Sequence, residues 1–214
     1  MIISTLNTKG GVGKSTIALN LAIMRAMSGR DVLLVDGDRQ STTLQAIAQR
    51  CNLGAMPPVA VAHYTDGSLL RAQVQQAKSK YDDILIDAGG RDSTALRAAL
   101  MISDVVLIPF QPRSFDVWGV GDMAELVTEA HGMRDGLKAF AVLSVADSRG
   151  NDNRAAADAI AELKGIQYLD TPIIRRKSLA DAAGSGLAVV EWKPRDRKAA
   201  TEMTKLFSAL FSSG

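Results

Sequence analysis

Near the start of the chain, lysine, serine and glycine are spaced as a phosphate-holding loop would need them: Asn7-Thr8-Lys9-Gly10-Gly11-Val12-Gly13-Lys14-Ser15-Thr16. Glycines, lacking a Cβ, let the backbone close around an anion with its N–H groups turned inward. Lys14 would neutralise the outer phosphate oxygens, and the Ser15 hydroxyl offers a hard oxygen to Mg2+. The common pattern G-x-x-x-x-G-K-[ST] wants glycine where this chain has Thr8, and a second lysine, Lys9, stands one residue later. Carboxylates supply the remaining chemistry: Asp36 and Asp38 follow one apolar run, and Asp87 ends another. Two acids two residues apart point the same way on a continuing strand, whereas a turn at Gly37 could separate them. A buried acid with no partner is costly, so Asp87 calls for a metal or a lysine beside it.

The elements that must position these groups read as alternating strands and helices. Apolar runs of strand length occupy 2–6, 32–35, 84–86, 105–108 and 140–145. Helical spacing or high alanine content marks 15–27, 69–77, 94–101, 118–130 and 155–163. Continuous apolar runs alternating with helices predict an α/β fold, with mostly parallel strands buried on both faces in a doubly wound sheet. Ligands of such sheets gather beyond the carboxyl ends of the strands, which is where Gly10–Ser15, Asp36, Asp38 and Asp87 fall. The turn-rich segment 52–58 reads as a connection within one domain spanning 1–214. A helix starting at Lys14 would add its positive N-terminal end beneath the phosphates.

The stretch Lys9 to Thr16 resembles the deviant Walker A motif of the ParA/MinD family of P-loop ATPases. The resemblance implies that ATP and Mg2+ are bound, with residues 9–16 forming the nucleotide-binding loop. It further implies that Lys9 reaches the phosphates of a partner subunit's nucleotide, so that the site is completed in a homodimer bridged by ATP. Leu33-Leu34-Val35-Asp36-Gly37-Asp38-Arg39-Gln40 is similar to the family's V-D-x-D-P-Q segment, with Arg39 where proline is usual. By that similarity Asp38 orients the attacking water and Asp36 supports the Mg2+ shell. The run ending in Asp87-Ala88-Gly89-Gly90 resembles a Walker B strand and a switch, with Asp87 holding Mg2+ through water or Ser15. Pro109 to Gly119 is similar to a family segment in which Asp116 reads as a helix cap and Trp118 as packing. Two segments, 146–151 and 171–174, are candidates for the base pocket. A strand that begins at residue 2 matches the short plasmid-partition type, without an amino-terminal DNA-binding domain. The functions implied are nonspecific DNA binding and DNA partition with a centromere-binding, ParB-like adaptor, in the cytoplasm and on the nucleoid. A MinD-like, membrane-cycling role is the alternative.

Composition narrows the remaining possibilities. A chain of 214 residues that is 47% apolar can bury one sizeable core. Its formal net charge of +2 creates no global field that would draw it onto nucleic acid, so DNA contacts need a local patch. The successive cations Arg175, Arg176 and Lys177, with Lys193, Arg195, Arg197 and Lys198 further on, are either a solvated face or that patch. The lone Cys51 excludes an intramolecular disulfide, and no apolar run approaches a membrane span. At the tail, Met203, Leu206, Phe207, Leu210 and Phe211 share one helix face. Its polar side is poor in Lys and Arg, so packing on the sheet is expected rather than stable membrane association.

Overall fold

The computed structural model describes residues 1–89, 92–112, 114–147 and 151–211, with the side chains of 114–118 and 151–152 outside that set. Three of the five expected strands sit centrally: β1 (Ile2–Asn7), β4 (Asp83–Gly89) and β5 (Val105–Phe110), in which every residue is buried. Their flanks are β2 (Val32–Asp36), β3 (Ala60–His63), β6 (Lys138–Ala146) and β7 (Gln167–Ile174). The seven strands lie in the order β3-β2-β4-β1-β5-β6-β7, and each pairing is parallel. The chain thus winds outward from β1 in both directions, and the loop after β1 sits at the point of reversal, where such sheets bind ligands.

Alternation along the strands divides the core into two layers. On one face Ile2, Leu6, Leu33, Val35, Ile84, Ile86, Val106 and Ile108 meet α4 (Thr94–Ile102) and α5 (Ser114–Met133), flanked by α3 (Gly67–Ala77) and α6 (Asn151–Ala161). On the other, Ile3, Val32, Leu34, Leu85 and Leu107 meet α1 (Lys14–Met27), α2 (Thr42–Asn52), α7 (Lys177–Gly184) and α8 (Arg197–Phe211). Met203, Leu206 and Leu210 of α8 are buried in that second layer, as the tail's spacing predicted. Phe211 lies beneath the Arg25 guanidinium, 4.6 Å from the ring centroid. No helix among the described residues is long and apolar enough to cross a membrane.

A buried ion pair ties α2 to the segment between α7 and α8. Arg50, with 1% of its side chain exposed, donates twice to Glu191 at 2.9 and 3.0 Å, and once each to the carbonyls of Pro57 and Gly186. Glu191 also accepts the Ala188 N–H, so the pair closes a turn as well as a tertiary contact.

Candidate functional site

The loop after β1 is held open by polar side chains that the motif does not mention. Asn7, fully buried, donates to the Pro109 carbonyl at 2.9 Å and accepts the Lys9 N–H at 2.8 Å. Gln111 donates to the Gly11 carbonyl at 2.8 Å from the end of β5. Gly13 caps α1 with φ of 87°, and a Cβ there would stand 2.6 Å from Ser144 Oγ, so no side chain fits. A bulged stretch of β6 delivers that contact, with Val145 at φ of 53° beside it. A β-branched residue in the left-handed region is strained, and such strain persists only where the surroundings enforce it.

Lys14 is 93% buried by its 7% exposure, and its ammonium donates to the Lys9 carbonyl at 2.7 Å. Burial pushes its pKa down, against the attraction of Asp87 and Asp38. Asp87 is raised to about 7, first by burial, while a hydrogen bond from Ser15 and the Lys14 charge pull it back. Its Oδ2 is buried without a partner. An orphaned carboxylate oxygen bonded through its carboxylate to a serine hydroxyl is a hard-oxygen pair that suits Mg2+, an ion that keeps most of its water and takes few protein ligands. The described residues contain no cluster of three or more acids, histidines or cysteines that could hold a metal ion by themselves.

Asp36 is committed to backbone partners. Its Oδ1 accepts the Asp38 N–H, and its Oδ2 accepts the N–H groups of Thr43 and Leu44 at 2.9 and 3.0 Å. A fully buried carboxylate with both oxygens occupied caps α2 from a distance and folds the 37–41 turn. That turn separates the two acids at Gly37. Asp38 lines the cleft, with its Oδ1 accepting the Gln40 N–H at 2.9 Å.

The cleft itself has a volume of about 870 Å3, and Gly10, Gly11, Gly13, Lys14, Ser15 and Thr16 form one wall. Asp38, Thr65, Gly89 and Thr94 belong to the other side. Val12 and Lys9 do not line it. Val12 is buried, and Lys9 is exposed, its aliphatic stem lying on Gly119 of α5 so closely that a Cβ on Gly119 would be 2.6 Å from Lys9 Cγ. The expected switch residue Gly90 lies outside the described residues. So do the side chains of Asp116 and Trp118, although α5 begins at Ser114 and places Asp116 inside its first turn rather than at the cap.

Among the described residues, none of either candidate base segment lines this cleft. Ala146 ends β6 and accepts the Arg175 N–H, while 148–150 lie outside the described residues. Thr171 faces instead a groove of about 680 Å3 bounded by α8, with Arg195, Arg197 and Lys205. Of the three successive cations, Arg175 and Lys177 are exposed. Arg176 is not free as expected: its guanidinium pairs with Glu202 of α8 at 2.7 Å, with 21% of the side chain exposed.

A parallel sheet, a glycine loop leading into a helix, a buried lysine and strand-end acids define a P-loop nucleotide-binding protein of the doubly wound class. Residues 3–189 match the CobQ/CobB/MinD/ParA nucleotide binding domain, and the chain belongs to that family of P-loop ATPases. It is 29% identical over 213 residues to the maintenance of carboxysome distribution protein A of Halothiobacillus neapolitanus, covering 99% of this chain and 96% of that one. It is 28% identical over 222 residues to the chromosome-partitioning ATPase Soj of Thermus thermophilus, covering 90% and 88% respectively. The fold superimposes on the septum site-determining protein MinD of Pyrococcus horikoshii, complexed with Mg-ADP, at a TM-score of 0.75 and 20% identity over 98% of this chain and 95% of that one.

Proposed function

We propose that this protein is a Mg2+-dependent ATPase that closes into an ATP-bridged homodimer. As that dimer it binds DNA without sequence preference, and it partitions DNA with a centromere-binding, ParB-like adaptor, in the cytoplasm and on the nucleoid. One observation carries the reading: Lys9, the extra loop lysine, is exposed, rests its stem on Gly119 of α5 and does not line the cleft that its own loop builds. A cation so placed serves a nucleotide held by another copy.

In this reading the loop N–H groups and the N-terminus of α1 receive the phosphate chain, and Lys14 exchanges the Lys9 carbonyl for phosphate oxygens. Ser15 and Asp87 would hold the Mg2+ ion, which supplies positive charge against the charge that builds on the phosphoryl oxygens. Asp38 orients a water in the cleft, and Lys9 of the second copy neutralises the transferring group. Arg175 and Lys177, with the exposed Lys193, Arg195, Arg197 and Lys198, offer the DNA surface. Phosphate contacts of this kind give salt-sensitive affinity that ignores sequence.

A second cargo is favoured by similarity over almost the whole chain to the carboxysome distribution protein. The same cycle on DNA would then position a protein compartment through a different adaptor. A membrane-cycling role draws less support, since α8 spends its apolar face on the sheet. Binding of the ATP-loaded protein to random-sequence DNA beside anionic vesicles tests these readings. DNA binding that requires ATP, and that is lost on converting Arg175 and Lys177 to Glu while ATP turnover persists, is the expected result. Vesicle binding without DNA binding would contradict it.

A further inference from the structure

The carboxylate of Asp38 is only as well aimed as the turn that carries it, and that turn is pinned from four sides. The Gly37 N–H reaches the Asp87 carbonyl at 2.8 Å, and the Asp38 N–H reaches Asp36. The Ser41 N–H bonds to the Asp38 carbonyl at 3.1 Å. The fourth contact comes from outside the turn: His63 Nε2 lies 2.9 Å from that same carbonyl oxygen. Since a carbonyl only accepts, the imidazole donates, which fixes the Nε2–H form of the ring.

The sheet explains why this histidine is there. His63 is the last residue of the edge strand β3 and pairs in register with Asp36 at the end of β2. The following residue, Tyr64, donates its N–H to the Asp36 carbonyl at 2.9 Å and extends the ladder past the strand end. Thr65 then lines the cleft, but His63 does not. Its side chain is exposed and makes no contribution to either hydrophobic layer. A solvent-facing ring at a strand end does little for the core. Among the described residues, its side chain bonds to the backbone of the residue that carries the carboxylate proposed to orient water.

We infer that His63 is a positioning residue for hydrolysis, acting through the Asp38 carbonyl to fix the direction of the Asp38 carboxylate. The inference rests on the water-orienting role proposed for Asp38. His63 does not line the cleft, so its contribution falls on turnover and not on ATP binding. Losing one neutral hydrogen bond to a solvent-accessible backbone should slow kcat by about three- to tenfold with KM unchanged.

The test measures Mg-ATP turnover in four variants beside the wild-type protein. His63→Ala should lower kcat by that factor, and His63→Gln, whose amide can donate at a similar reach, should restore most of it. Asp38→Ala should abolish most turnover while leaving ATP binding, and adding His63→Ala to it should change the residual rate no further. Wild-type kcat in His63→Ala, beside a disabled Asp38→Ala, overturns the positioning role alone. Failure of Gln to rescue, with thermal unfolding lowered equally in both His63 variants, also overturns it, because the residue is then structural. Normal turnover in Asp38→Ala instead removes the water-orienting role on which the inference stands.

Discussion

Removing the charge from Asp87 should make the nucleotide-free protein more stable above neutral pH. Burial holds its carboxyl at about 7 in the folded protein, against 3.8 when the chain is unfolded. Between those values the folded state binds the proton more tightly, so folding is favoured most at low pH and loses stability as pH rises toward 7. At about 1.4 kcal/mol per pH unit, the full penalty is on the order of 4 kcal/mol above neutrality. Roughly half of it, about 2 kcal/mol, should accrue between about pH 5.5 and about pH 8.5. Asp87→Asn cannot ionise and escapes this loss, while keeping the shape and a donor-acceptor amide. Urea denaturation of both proteins, without nucleotide or Mg2+, reads the difference in unfolding free energy at the two pH values, and other titrating groups cancel in the subtraction. The variant's advantage should grow by about 2 kcal/mol with rising pH. A difference that stays constant would refute the buried carboxylate, with its unpartnered Oδ2, as a strained element of the site. The same variant should lose Mg2+-dependent nucleotide binding, which would separate a functional strain from mere bad packing.

Two further substitutions probe the scaffold. Gly13→Ala places a methyl 2.6 Å from Ser144 Oγ at φ of 87°, and should cost about 1–3 kcal/mol in denaturation with weakened ATP binding. Pairing it with Ser144→Ala should recover part of that loss, and no recovery would reject the clash. Arg50→Ala strands the Glu191 carboxylate and two carbonyls, and should cost about 3–5 kcal/mol in urea denaturation. A loss below about 1 kcal/mol would mean that water replaces the guanidinium at this position.

The loop proposed to receive phosphate was legible because its chemistry is local. A glycine loop, its lysine and its serine act within one turn, and the apolar run ahead of them could only be a buried strand. Asp87 stood out for a similar reason, as an acid after an apolar run, and it lies within the central strand β4. What was hidden depends on distant partners. Asp36 reads as a metal-site acid until Thr43 and Leu44 are folded over it. Arg176 reads as a free cation until α8 brings Glu202 beside it. The edge strands β3 and β7 escaped notice because the first is short and alanine-rich and the second carries Pro172, a residue that sheets tolerate at their edges. With β3 unseen, His63 had no reason to stand near Asp38. Asn7 and Gln111 flank recognisable segments, yet only the folded loop shows which carbonyls they hold.

The central claim is that each copy holds half of a hydrolysis site and lends Lys9 to the other. Sedimentation velocity of the wild-type protein and of Lys9→Ala, each with Mg2+ and a non-hydrolysable ATP analogue, tests it most directly. A dimer is expected for the wild type, and for Lys9→Ala a monomer that still binds the analogue. An undiminished analogue-dependent dimer in Lys9→Ala would contradict it.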